Sequence, residues 1–130
     1  MNRYNRNNLP FTKEMENDWN DKGFLIIENF YLKHECDNLI KRAGDLVEKF
    51  DPKSVKSIFN TKKQEKVDDS YFLESGDKIR FFFEEKAFDN DGNLTNKKEL
   101  VINKIGHALH DIDEEFYKFS NKKDLDNISK

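Results

Sequence analysis

One cysteine, Cys36, is all that the 130 residues hold, so no disulfide can close within the chain. That fits a reducing compartment and gives the cysteine, on a helix stripe, the role of a small buried apolar residue. Long apolar runs are missing too, and the longest falls far short of a membrane span. The opening MNRYNRNNLP has no apolar core of a secretory signal. A soluble, cytoplasmic protein is the expectation. Charge of one sign is also lacking: 23 Lys and Arg stand against 26 Asp and Glu, interspersed. No basic stripe is left for nucleic acid, and Lys62-Lys63-Gln64-Glu65-Lys66 reads as a solvated loop. The glycines are scattered, so no phosphate-cradling loop forms, and there is no H-E-x-x-H, paired CxxC or P-loop.

What is present is charge in excess and apolar residues in deficit, 38% against 35%. Soluble domains average ~25% charged and ~45–50% apolar, the latter figure counting Gly. Such a chain is either a very polar domain or a piece of one whose core lies elsewhere. Its length suggests a single domain.

The periodicities divide the chain. Residues 1–10 read as a disordered lead. Phe11 to Lys22 reads as a helix capped by Thr12 and stopped by Gly23. Phe24-Leu25-Ile26-Ile27 reads as a short strand buried on both faces at its start. Lys33 to Phe50 is the clearest helix, with Cys36, Leu39, Ile40, Ala43, Leu46, Val47 and Phe50 in one stripe. Asp51-Pro52 ends it. His34 lies in its first turn and reads as exposed, not as a ligand. Lys53 to Ser70 reads as a loop.

The most informative stretch is Tyr71 to His110. Tyr71-Phe72-Leu73 reads as extended, Ser75-Gly76-Asp77 as a turn, and Ile79 to Glu84 as a strand whose phenylalanines fall on both faces. Those rings serve as core more naturally than as an aromatic platform for a base or sugar. Asp91-Gly92-Asn93 marks a reversal, without EF-hand spacing. Lys98 to Ser120 reads as a long helix capped by Thr95 or Asn96. Its stripe is Val101, Ile102, Ile105, Leu109, Ile112, Phe116 and Phe119, with Lys104, His107 and Asp111 on another face. His107, His110 and Asp111 are the only tempting metal set, and a helix-surface pair is their plainer reading. Residues 121–130 read as a polar tail.

GFLIIENFYLKHECDNL, VDDSYFLESGDKIRFFFEEKAFDNDGNL and INKIGHALH, in that order, resemble the front part of the phytanoyl-CoA dioxygenase family, from about Trp19 to Phe119. The opening block is moderately specific; SGDKIRFFFE and INKIGHALH are much more so. The resemblance implies an α+β chain: the N-terminal helices and first strands of a double-stranded β-helix (jelly-roll) oxygenase, with the barrel incomplete. Residues 11–120 would be that segment. It implies iron(II) held by two histidines and a carboxylate, with 2-oxoglutarate as co-substrate. The lysine of the family's NKIGHALH motif contacts 2-oxoglutarate, a role that carries onto Lys104; a solvated surface lysine is the alternative. The family's H-x-D is absent, since His34, His107 and His110 are followed two places on by Cys36, Leu109 and Ile112. No catalytic or iron-binding residue is therefore expected in this chain, which should be inactive alone. The family's arginine for the far carboxylate of 2-oxoglutarate also belongs to the missing part. The expected partners are 2-oxoglutarate and a small-molecule substrate of the full domain. The alternatives are a non-catalytic remnant that binds a full-length relative and a truncated gene product without function.

Overall fold

The structure, a computed structural model, describes residues 2–55 and 70–129. Its order is β1 (Tyr4–Asn5), a 3-10 turn (Arg6–Asn8), α1 (Lys13–Lys22), β2 (Ile27–Glu28), α2 (Lys33–Lys49), α3 (Ser70–Leu73), β3 (Ile79–Phe83), α4 (Lys98–Val101), β4 (Ile102–His107), α5 (Leu109–Ile112), α6 (Glu114–Ser120) and α7 (Lys123–Ser129). The α+β expectation holds. β1 pairs parallel with β2, and β3 antiparallel with β4. No closed barrel is present among the described residues. None of their helices is long and apolar enough to cross a membrane.

The first two long helices form where the sequence places them. The Thr12 hydroxyl accepts from the Met15 amide at 3.2 Å, satisfying an orphan donor of the first turn of α1. Gly23 ends that helix at φ +76°, a left-handed conformation that a side chain would disfavour. α2 stops before Pro52, and the Lys98 ammonium donates to the Glu48 and Phe50 carbonyls at its C-terminus, both at 2.7 Å. A cation there complements both the free carbonyls and the helix dipole.

Several particulars differ from expectation. Within the lead, Tyr4 is buried, its amide bonds to the Ile26 carbonyl and its hydroxyl donates to Asp18. The strand expected at 24–27 shrinks to Ile27–Glu28, with Phe24 46% exposed. Cys36 is exposed and so is Ile40, because the elements packed on α2 leave that part of its stripe uncovered. Residues 121–130 carry α7, which Arg6 ties to the lead through Asp124. The loop expected over 53–70 lies mostly outside the described residues, as does the lysine cluster at 62–66.

The largest departure is at Lys98 to Ser120, where one helix was expected. The chain makes a single turn, then β4, then two short helices. β3 supplies the reason: it needs a partner, and Ile102 and Ile105 suit a strand as well as a helix. Tyr71-Phe72-Leu73, expected to be extended, is the short helix α3. The β3–β4 pair separates two aromatic groups by its period of two. On one face Phe81 and Phe83 meet Phe50 of α2, with the Phe50 and Phe81 rings stacked at 4.3 Å. Phe83, Ala87 and Val101 are the buried centre of that side, with Phe88 and Leu94 packed on them. On the other face Phe82 meets Tyr71 and Phe72. Here the candidate site lies.

Candidate functional site

Lys104 stands opposite Phe82 in the ladder, so its side chain leaves β4 on the face that carries Phe82. Its ammonium reaches His107 Nε2 at 2.7 Å and lies 6.0 Å from the centre of the Phe72 ring. His107 Nδ1 is 2.6 Å from Ser75 Oγ, and that hydroxyl donates to the Phe72 carbonyl. Ser75 has no solvent exposure. The imidazole meets Phe72 edge to face at 5.3 Å and Phe82 at 5.7 Å.

These bonds have one consistent direction. An ammonium is donor only, so His107 Nε2 accepts from Lys104. Nδ1 then carries the ring proton and donates to Ser75, whose own proton goes to Phe72 O. The result is an ordered file running from a backbone carbonyl to a cation, with an aromatic wall beside it.

Strict alternation would put His107 on the face away from Lys104. The strand end curls instead: the His107 amide donates to the Lys78 carbonyl at 2.9 Å and to the Ser75 carbonyl at 3.3 Å, and the Ala108 amide also bonds to Lys78. Lys104 and His107 thus come together as the sequence suggests, although on a strand and not on a helix. Asp111 does not join them; it lies in α5, 3.4 Å from His110. His34 is exposed in the first turn of α2. The sequence marks Ser75 only as turn chemistry. Nothing in its local sequence marks the bond it makes 32 residues away.

Among the described residues no group of three His, Cys, Asp or Glu side chains can hold a metal ion. The lysine, histidine and serine of this cluster do not make a donor set for iron(II). The same face does fit one carboxylate, because it offers a held ammonium against a partly apolar wall. A separate cleft of about 200 Å³ is lined by Glu35, Asn38, Leu39, Glu115, Lys118, Phe119 and Lys122, none of which belongs to this cluster.

The family model described as phytanoyl-CoA dioxygenase (PhyH) matches residues 19–128. A phytanoyl-CoA dioxygenase of Arabidopsis thaliana is 49% identical over 102 residues, covering 78% of this chain and 36% of the relative. A phytanoyl-CoA dioxygenase domain-containing protein 1 homolog of Dictyostelium discoideum is 43% identical over 112 residues, 86% of this chain and 40% of the relative. The Bos taurus phytanoyl-CoA dioxygenase domain-containing protein 1 is 44% identical over 101 residues, 74% and 35% respectively. The chain thus spans between a third and two-fifths of the length of these relatives. With a match that takes in β3, β4 and the whole lysine cluster, the chain belongs to the phytanoyl-CoA dioxygenase family.

Proposed function

We propose that this chain is the front segment of an iron(II)- and 2-oxoglutarate-dependent dioxygenase, and that Lys104 pairs with one carboxylate of 2-oxoglutarate. The observation that supports this reading best is the Lys104 ammonium itself, held by His107 beside Phe72 on the strand that carries the family motif. In the complete enzyme the iron ligands and a second carboxylate anchor come from sequence beyond these residues. Iron held there would supply O₂-dependent decarboxylation of 2-oxoglutarate to succinate and CO₂, with the second oxygen atom going to a C–H bond of the substrate. Lys104 contributes binding and orientation.

A single charge-assisted contact is worth about 1.5–3 kcal/mol, short of the ~4.1 kcal/mol that a 1 mM dissociation constant requires. The isolated chain is therefore expected to bind 2-oxoglutarate more weakly than about 1 mM. In an NMR titration to tens of millimolar, shifts should centre on the Lys104 ε-methylene and the His107 ring. Lys104→Ala should abolish them. A wild-type chain whose Lys104 and His107 signals stay fixed throughout overturns the assignment.

Chemistry is expected to be absent. The purified chain given iron(II), ascorbate and 2-oxoglutarate should release no succinate above a protein-free blank. Succinate in proportion to added protein would show that an iron site is built here from other residues.

A further inference from the structure

We infer that His107 is a positioning residue: clamped by Ser75, it fixes the position of the Lys104 ammonium. The inference rests on the co-substrate reading above for what the ammonium binds, and on geometry alone for what holds it.

A lysine on a two-stranded sheet has four rotatable bonds and loses much rotamer freedom when fixed. Something must offset that loss if the amine is to wait in place. Here four features do. His107 Nε2 accepts from Nζ at 2.7 Å. Ser75, fully buried, accepts from His107 Nδ1 and so fixes the ring's tautomer and rotation. Gly106 leaves room for the stem: a Cβ built there would lie 3.0 Å from Lys104 Cε and would press the side chain aside. The aromatic edges of Phe72 and Phe82 hold the imidazole from the side. The logic is that of the outer-shell partner which orients a ligating side chain, applied to a cation in place of a metal ligand. His107 keeps one acceptor on the ammonium and so sets the direction in which the group points.

Three NMR readouts on the full chain test this without requiring ligand. Nitrogen-15 spectra of His107 should show the proton on Nδ1 and a bare Nε2; the opposite tautomer overturns the inference. Lys104 ammonium protons should exchange with water about tenfold slower than those of an exposed lysine such as Lys97, the factor that about 1.4 kcal/mol of hydrogen bonding gives. His107→Phe keeps a ring against Phe72 and Phe82 but has no nitrogen, and should remove that protection. His107→Gln, whose amide oxygen reaches the Nε2 position, should restore most of it. His107→Asn, which reaches only the Nδ1 position, should not. The Gln and Asn variants share the cost of a buried amide, so their difference reads positioning even if the Phe variant folds poorly. Unchanged Lys104 exchange in both Phe and Asn variants sinks the inference. Failure of the co-substrate reading shows up separately, as an absence of 2-oxoglutarate shifts in a wild-type chain whose ammonium is protected.

Discussion

Phe82→Ala is expected to cost about 3–5 kcal/mol, the range for emptying a buried phenylalanine site. Domains have about 5–15 kcal/mol in total, and this one is poor in apolar residues, so the variant should lie at or beyond the edge of folding. Phe82 has no solvent exposure. Its ring touches Tyr71 at 5.5 Å, Phe72 at 5.6 Å and His107 at 5.7 Å between ring centres. Few neighbours can collapse into the space. α3 is a single turn, and Arg80 already covers Tyr71, its guanidinium 4.6 Å from the ring centre and donating to the Tyr71 carbonyl. Urea unfolding followed by far-UV circular dichroism would measure the loss. Phe82→Leu, which keeps most of the volume, should lose far less. An alanine variant within about 1 kcal/mol of wild type would mean that this face of the sheet carries little of the stability. The lysine cluster would then need another support, since Phe82 is the floor on which His107 lies.

That dependence explains which parts of the fold were legible in the sequence. Caps and breakers act locally, so Thr12, Gly23 and Pro52 set the bounds of α1 and α2 to within a residue or two. The turn at Ser75-Gly76-Asp77 and the reversal at Asp89 to Asn93 are equally local. Asp89 accepts from the Asp91 and Asn93 amides, and Phe88 and Leu94 bridge across it. Lys98 to Ser120 was not legible, because its stripe satisfies a helix while its structure is decided by pairing with the distant strand β3. Two signs pointed the other way. Gly106 inside a helix costs about 1 kcal/mol, and Ile102 and Ile105 are β-branched. The site divides in the same manner. Lys104 and His107 are close in sequence and meet under either assignment. Ser75 enters only once β3 and β4 pair and draw the turn before β3 onto the end of β4.

Asp113→Ala is expected to be the other severe change, at about 3 kcal/mol. In the helix expected over 98–120 this aspartate is one more polar position. In the structure it is the N-cap of α6, accepting from the Glu115 and Phe116 amides, and its side chain is 2% exposed. Arg42 of α2 grips the same carboxylate through Nε at 2.8 Å and a terminal nitrogen at 2.7 Å. The residue thus starts a helix and pins it to α2. Losing a cap costs about 1 kcal/mol. Breaking a buried pair costs about 3–5 kcal/mol, less here because Arg42 remains partly in water. Asp113→Asn separates the two, keeping an oxygen for the cap and discarding the charge. Arg42 beside it, with the two backbone amides, holds the Asp113 carboxyl below the usual 3.8 despite its burial. The folded carboxyl is therefore the stronger acid. Its charge stabilises the fold fully above the unfolded-state value and ceases to do so as pH falls through the lower folded one. Urea midpoints of wild type and Asp113→Asn should differ by a constant amount near neutrality and converge below about pH 4. A gap that persists unchanged into acid would show that shape, not charge, is what Asp113 contributes, and would remove the Arg42 pair from the account of how α2 and α6 hold together.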